Sequence, residues 1–190
     1  MIKHNYKNVE GWFNMENQYI ELLDNTPEDG IFVELGAYKG KSTSFIVTEI
    51  LNRKRNIKFF TVDTFGGVSD ISDEKEIIAY SKVNTSNIYQ DFLNSTDHLK
   101  DRFEVIISTS DKAASNFEDN SVDVIFIDAG HSFEAVLADL KAWYPKMKNQ
   151  SIMSGHDYNA WEGVNQAFKT FFKTNPDKVE NDCWFLKIKK

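Results

Sequence analysis

The sequence is poor in cysteine and proline, and it has no long apolar segment. Among its 190 residues there are three prolines and one cysteine, Cys183. A single cysteine excludes an internal disulfide framework and a multi-cysteine zinc site. No apolar run reaches the roughly 18 residues of a membrane-spanning helix, and residues 1–6 lack the apolar core of a secretory signal. We therefore expect a soluble protein in a reducing, cytoplasmic compartment, with no membrane partner.

Positive charge is also scarce. The chain carries 22 Lys and Arg against 29 Asp and Glu, which gives a net charge of −7. Proteins that bind nucleic acid use Lys and Arg to neutralise phosphates, so we do not expect a nucleic-acid partner. The one basic cluster, Arg53, Lys54 and Arg55, lies at the expected end of a helix, where positive charge complements the helix dipole. The length and the hydrophobic content of 41% fit one domain over residues 1–190.

Short apolar runs alternate with amphipathic helical patterns along the chain. This alternation predicts an α/β fold with a doubly wound, mostly parallel sheet and helices on both faces. The tail alternates apolar and charged residues, which predicts an antiparallel C-terminal edge strand. The predicted strands cover residues 30–35, 58–62, 103–107, 122–127, 151–154 and 183–188. The predicted helices cover residues 41–52, 88–99, 112–117, 133–143 and 161–172.

Polar residues follow the predicted strands at the points where the strands end. They are Gly36, Asp63, Ser110, Asp128 and the pair His156-Asp157. Right-handed crossovers bring the carboxyl ends of parallel strands to one edge of the sheet, where ligands bind. We therefore expect the functional site at this edge.

A glycine turn follows the first strand, in the segment Glu34-Leu35-Gly36-Ala37-Tyr38-Lys39-Gly40. It lacks the third glycine of a dinucleotide-binding turn, and Leu35 stands where a phosphate-binding loop requires glycine. Glu34 would repel a phosphate and suits a ligand that carries positive charge. Asp63, at the end of the next strand, is able to accept both hydroxyls of a ribose.

This pairing of a glycine turn with an acidic strand end resembles the class I S-adenosylmethionine-dependent methyltransferases. The resemblance implies a seven-stranded Rossmann-like sheet. It also implies that the methionine part of S-adenosylmethionine lies over the turn and its ribose at Asp63. The loop of residues 108–111 would reach the adenine, although Ser110 is also a candidate N-cap with Asp111 in the first helical turn. The implied cofactor-binding residues are Glu34, Gly36, Tyr38, Gly40, Ser42, Asp63, Thr64, Ser110, Asp111 and Asp128.

Two motifs in the second half of the chain carry a narrower resemblance. Phe126-Ile127-Asp128-Ala129-Gly130-His131 and Gly155-His156-Asp157-Tyr158 resemble the macrocin O-methyltransferase-like branch of this family. The resemblance implies methylation of a hydroxyl on a small-molecule acceptor, a sugar or similar compound, often with a divalent metal such as Mg or Mn. It makes His131 the candidate general base, with Asp128 also catalytic, and Asp128, His156 and Asp157 the metal ligands. His156 replaces a carboxylate of metal-dependent relatives, and imidazole suits Mn, Fe or Zn better than Mg.

Other interpretations of these residues stay open at this point. Asp128 is also able to cap a helix, His131 to face solvent in a loop, and His156 with Asp157 to form a turn. The rival functions are a nucleotide-binding, Rossmann-like oxidoreductase and a non-catalytic cofactor-binding module.

Two segments are expected to shape the acceptor site. Residues 1–29 are predicted to form a helical lid over the cofactor pocket or to pack in a homodimer interface. Residues 68–83 are predicted to be an insertion in the domain.

Overall fold

A computed structural model describes residues 1–67 and 87–190, so the predicted insertion at 68–83 lies outside the described residues. The described residues form a seven-stranded sheet in the order β3-β2-β1-β4-β5-β7-β6. Strands β1 to β5 are parallel, and β7 pairs antiparallel with both β5 and β6. The strands are β1 Ile31–Leu35, β2 Lys58–Asp63, β3 Glu104–Ile107, β4 Val122–Ile127, β5 Met147–Gly155, β6 Lys178–Glu180 and β7 Cys183–Lys187.

Helices cover both faces of this sheet, which confirms the predicted fold class. Because side chains alternate along a strand, the inner strands feed two separate cores. Val33 and Ile125 pack with helices α4 to α6, whereas Phe32 and Val124 pack with α1 and α2. The helices of the described residues are α1 Glu16–Asn25, α2 Lys41–Asn52, α3 Ile88–Thr96, α4 Ser110–Ala113, α5 Phe133–Trp143 and α6 Glu162–Phe172.

The strand at the antiparallel edge of the sheet is not the strand that the sequence predicted. The outermost antiparallel strand is β6, and β7 lies one position further in. Residues Cys183–Leu186 are buried in succession, whereas all three residues of β6 are exposed. Asn181 and Asp182 join the two strands with φ values of 49° and 59°. Two adjacent residues with positive φ are typical of a tight hairpin turn, a signal that the sequence analysis missed.

The N-terminal segment is anchored by α1. Tyr19, Leu22 and Leu23 are almost fully buried in the core that contains Phe32 and Phe126. The apolar face of α1 is therefore part of this domain's own core and is not available as a lid or as a dimer interface. Both roles remain predictions for residues 1–15 only. None of the helices in the described residues combines the length and apolar character needed to cross a membrane.

Candidate active site

The carboxyl ends of β1 and β4 meet at Gly36 and Asp128. The amide of Asp128 donates to the Leu35 carbonyl at 2.8 Å, and the amide of Gly36 donates to the Val62 carbonyl at 2.9 Å. Gly36 has a φ of 91°, and a Cβ atom there would lie 2.0 Å from the carbonyl oxygen of Asp128. Only glycine allows this backbone conformation and this close approach. The glycine turn and the second-half motif are thus brought together at one edge, as expected.

Asp63 ties the glycine turn to the end of β2. Its Oδ2 accepts hydrogen bonds from the amides of Ala37 and Tyr38, each at 2.8 Å, and its Oδ1 accepts one from the amide of Phe65 at 2.7 Å. These bonds occupy three of the four carboxylate lone pairs, so Asp63 retains one, on Oδ1, for a ribose hydroxyl rather than the two that the sequence predicted. Thr64 is exposed beside it, and its hydroxyl accepts from the amide of Gly66 at 3.3 Å.

Glu34 has a different position from the one predicted. Its side chain is fully buried, and Tyr19 donates to Oε1 at 2.9 Å while Thr43 and Thr61 donate to Oε2. Burial raises the pKa of Glu34, and hydrogen bonds from these hydroxyls and from Ser42 oppose that shift. Glu34 points to the α1 and α2 face of β1, because it alternates with Val33 and Leu35. Its predicted direct cofactor contact is therefore corrected to a supporting contact beneath the glycine turn.

The rest of the glycine turn leads into α2. Tyr38 has a φ of 47°, and its ring lies 5.8 Å from that of Trp12, which is 62% exposed. Gly40 has a φ of 85° and immediately precedes α2. A Cβ atom on Gly40 would lie 2.8 Å from the Ser95 hydroxyl, so glycine also allows α3 to approach the turn. Ser42 lies in the first turn of α2, beneath this loop.

Lys39 holds three segments together and was not singled out in the sequence. Only 3% of its side chain is exposed, and Nζ contacts Glu10 at 2.7 Å and Asp91 at 2.9 Å. Burial lowers the pKa of Lys39, but the hydrogen bonds to Glu10 and Asp91 outweigh burial and leave the pKa raised. Both partners are distant in sequence, so no local pattern marks this contact.

The loop after β3 places Ser110 and Asp111 at the same edge of the sheet. Thr109, rather than Ser110, is the N-cap residue of α4, and its side chain makes no capping hydrogen bond. Ser110 is the first residue of the helix, and its hydroxyl instead donates to Asp139 on α5. Asp111 is exposed in the first turn, as predicted. The N-cap role of Ser110 is thus wrong, because Asp139 takes its hydroxyl.

Two histidines and two aspartates form a cluster at the ends of β4 and β5. His131 Nε2 lies 3.0 Å from Asp157 Oδ2, and His156 Nδ1 lies 3.2 Å from Asp157 Oδ1. Asp128 Oδ1 is farther away, 3.9 Å from His156 Nδ1. The structure therefore brings together all four predicted residues, with Asp157 between the two imidazoles.

The two carboxylates of this cluster have pKa values shifted in opposite directions. Burial raises the pKa of Asp157, but hydrogen bonds from His131 and His156 outweigh burial and hold the pKa well below its usual range. Burial also raises the pKa of Asp128, and the nearby His156 only partly offsets the rise. Burial lowers the pKa of His156, whereas its hydrogen bond to Asp157 more than compensates and raises it. Asp157 is thus the carboxylate that stabilises positive charge on its neighbours.

The compact set of possible metal ligands differs from the predicted one. Ligand atoms of Asp128, His131 and Asp157 all lie within 4.8 Å of one another. His131 thus stands in this group in place of His156. Two carboxylates and one imidazole fit a divalent cation, and the imidazole favours Mn, Fe or Zn over Mg.

Trp161 supports His131 from the start of α6. The two rings stack with centroids 5.0 Å apart and planes 11° from parallel. A Cβ atom on Gly163 would lie 2.4 Å from the His131 carbonyl oxygen, so glycine lets α6 approach the histidine loop. The structure thus places Trp161 against the candidate base.

Comparison with known proteins identifies the family of the chain. A family model, Methyltransf_24, described as a methyltransferase domain, matches residues 33–158 and so covers more than half of the chain. The chain belongs to this family. The match includes the end of β1, the glycine turn, Asp63, Asp128, His131 and the pair His156-Asp157. It confirms the predicted S-adenosylmethionine-dependent methyltransferase domain.

Solved structures show the same fold as this Methyltransf_24 chain. The O-methyltransferase NovP superposes with a TM-score of 0.70 at 14% identity, over 93% of this chain and 78% of NovP. CalS11, a calicheamicin methyltransferase, gives a TM-score of 0.60 at 13% identity, over 90% of this chain and 76% of its own. SMU.1697c from Streptococcus mutans, solved in complex with SAH, gives a TM-score of 0.57 at 10% identity, over 93% of this chain and 97% of its own.

A curated relative is y4gI of Sinorhizobium fredii (strain NBRC 101917 / NGR234). It is 29% identical to the Methyltransf_24 chain over 125 residues, which make up 66% of this chain. The match spans 13% of the length of y4gI.

Proposed function

We propose that the chain transfers the methyl group of S-adenosylmethionine to a hydroxyl of a small-molecule acceptor, a sugar or a similar compound. The observation that carries this proposal is the His131–Asp157 pair, which lies beside Asp128 at the edge that holds the glycine turn. NovP is an O-methyltransferase, and CalS11 is a TDP-rhamnose 3'-O-methyltransferase, which supports a hydroxyl acceptor. The net charge of −7 supports a small molecule over nucleic acid.

In this proposal the first half of the chain binds the cofactor. The methionine part would lie over the turn at Gly36, Tyr38 and Gly40, and Asp63 with Thr64 would accept the ribose hydroxyls. The loop of Ser110 and Asp111 would contact the adenine. Glu34 and Ser42 would support the turn from below, because Glu34 is already surrounded by protein hydroxyls.

The second half would supply the base. A neutral hydroxyl is a weak nucleophile, and removal of its proton by a positioned histidine typically accelerates a reaction by about 10²- to 10⁴-fold. His131 would accept that proton, and ionised Asp157 would stabilise the imidazolium that forms. When bound, S-adenosylmethionine would supply the methyl group to the acceptor oxygen and would leave as S-adenosylhomocysteine, with the electron pair of the broken carbon–sulfur bond on sulfur. Trp161, stacked on His131, would fix the orientation of the ring.

Metal assistance belongs to the same proposal. Asp128, His131 and Asp157 would hold a divalent ion, which when bound lowers the pKa of a coordinated hydroxyl. An ion at this position would compete with the 3.0 Å contact between His131 and Asp157. His131 therefore acts either as a metal ligand or as the base. Methyl transfer that requires the metal would favour the ligand role, and transfer without metal would favour the base.

The test begins with calorimetric titration of EDTA-treated protein with S-adenosylmethionine, then with Mn²⁺ or Mg²⁺ added. We expect one-site binding that is weakened in Asp63→Ala and unchanged in Asp177→Ala, a control on an aspartate outside the site. Methyl transfer to a panel of sugar and catechol hydroxyls, followed by mass spectrometry, is the second step. No binding at millimolar cofactor would overturn the proposal, and binding without transfer to any acceptor would favour the non-catalytic module.

A further inference from the structure

A buried carboxyl group lies behind the loop that follows β3. Asp139 is on the inner face of α5, between the buried residues Val136 and Trp143, and is 2% exposed. Its Oδ1 accepts a hydrogen bond from the Ser110 hydroxyl. Its Oδ2 is buried and has no hydrogen-bond partner within the part of the chain that the structure describes. Burying a carboxyl group that is only half satisfied is costly, so its presence in this helix calls for an explanation.

Trp143 holds the same serine from the next turn of α5. Its indole Nε1 donates to the Ser110 carbonyl at 2.8 Å, and its side chain is fully buried. Asp139 and Trp143 are four residues apart, so they lie on one face of the helix. Ser110 is thus fixed at its hydroxyl and at its carbonyl by two side chains of one rigid element.

The loop has little support of its own. Helix α4 comprises only Ser110–Ala113, and a single turn has no stability in isolation. The N-cap residue Thr109 makes no side-chain hydrogen bond that would stabilise it. The conformation of Ser110 and Asp111 therefore depends on the contacts from α5.

We propose that Asp139 is a positioning residue for the adenine of the cofactor. By accepting the Ser110 hydroxyl while Trp143 holds the Ser110 carbonyl, it fixes the loop between β3 and α4 in the conformation that binds the base. This inference rests on the proposed binding of S-adenosylmethionine, in which Ser110 and Asp111 contact the adenine. It explains why a carboxyl group is kept in the apolar face of α5.

The charge on Asp139 gives the arrangement a measurable signature. Burial raises the pKa of Asp139 to about 7, the hydrogen bond from Ser110 lowers it, and the negative charge of Asp111 raises it. Near neutral pH the group therefore changes between a neutral and a charged form. The charged form is poorly solvated and is repelled by Asp111, and these two effects together outweigh its stronger hydrogen bond from Ser110, so we expect it to loosen the loop.

The first experiment measures the affinity of the full chain for S-adenosylhomocysteine by calorimetry at about pH 6 and about pH 8, on either side of the Asp139 transition. Asp139→Asn keeps the acceptor oxygen and is neutral throughout, so it should bind within about threefold of wild type at the lower pH, whereas Asp139→Ala should bind roughly tenfold more weakly. The ratio of wild-type to Asp139→Asn affinity should fall as the pH rises. This ratio cancels the titration of the ligand itself. Asp123→Asn, which alters a buried carboxylate at the opposite edge of the sheet, is the matched control. Its affinity for S-adenosylhomocysteine should equal that of wild type at both pH values.

The second experiment follows the indole N–H resonance of Trp143 by ¹⁵N NMR without any ligand, assigned by its loss in Trp143→Phe. We expect it to shift with pH around 7 in wild type and to be insensitive to pH in Asp139→Asn. A wild type that fails to bind S-adenosylhomocysteine would overturn the proposed function. Normal wild-type binding, with equal affinity in a folded Asp139→Ala and an indole signal that does not titrate, would overturn this inference alone.

Discussion

The two halves of the site differ in how their charged groups are satisfied. Around the glycine turn, Glu34, Lys39 and Asp63 each have two or more protein partners at hydrogen-bond distance. At the ends of β4 and β5, Asp157 pairs with both histidines, but Asp128 is partly exposed and lies 3.9 Å from His156, beyond hydrogen-bond distance. The first half is built before any ligand arrives, whereas the second half retains charges that a reactant or an ion can reorganise. Binding gains from preorganisation, and chemistry needs groups that are able to exchange protons.

The largest expected effect comes from a change in the catalytic half of the site, at the ends of β4 and β5. His131→Ala should lower kcat by about 10²- to 10⁴-fold, because it removes the proposed base. The affinity for S-adenosylmethionine should change little, because the glycine turn and Asp63 are intact. Steady-state kinetics and calorimetry on the same preparation measure the two quantities, with the exposed His98→Ala as control. An equal loss of kcat in both variants would show that His131 is not the general base.

The next effect is on the binding side and concerns stability. Gly36→Ala should lower the free energy of unfolding by about 3 kcal/mol or more, because its Cβ would meet the Asp128 carbonyl and its φ is positive. Urea denaturation followed by circular dichroism measures the loss. Gly66→Ala is the matched control, because its Cβ would lie 3.6 Å from the nearest atom, the Thr64 hydroxyl oxygen. A loss of similar size in both variants would show that the close approach of β1 and β4 is not the cause.

A third effect concerns pH. The pKa of Asp139 in the folded chain is raised to about 7, above the ordinary value for aspartate, so the folded state binds its proton more tightly. Protonation of this group therefore stabilises the fold at low pH, and that contribution is lost as the pH rises from about 4 to about 7. Relative to Asp139→Asn, wild type should lose roughly 2 kcal/mol between about pH 5 and 6.5. Urea melts of both proteins across this range measure the difference, and parallel pH profiles would contradict it.

The smallest effect sharpens the comparison within the first half. Tyr19→Phe should cost about 1 to 2 kcal/mol, because the buried Glu34 loses a donor that nothing replaces. Tyr89→Phe, on an exposed ring of α3, should be nearly neutral. Thermal denaturation ranks the two variants. The affinity for cofactor should fall only slightly in Tyr19→Phe, and an unchanged stability would show that Glu34 does not depend on α1.

Local patterns predicted most of the elements. The helix at 133–143 and the strand at 122–127 match α5 and β4, because a hydrophobic period and a continuous apolar run are local properties. Other bounds shifted: β5 begins at Met147 rather than at Ser151, and the helix predicted at 112–117 is α4 followed by one turn of 3-10 helix. The ends of elements shift because neighbouring contacts, rather than the period of the element itself, decide where it begins and ends.

The sequence by itself determined the α/β class, the meeting of polar residues at one edge of the sheet, and the family motifs around Gly36 and Asp128. Strand periodicity and the handedness of crossovers are sufficient for these conclusions. Only the tertiary structure decided that Glu34 faces Tyr19, that Ser110 bonds to Asp139, and that His131 joins Asp128 and Asp157. The partners are separated by 15 and 29 residues in the first two cases, and in the third Asp157 follows β5 whereas Asp128 and His131 follow β4. Which polar groups meet depends on how helices pack across the sheet, and no local period encodes that packing.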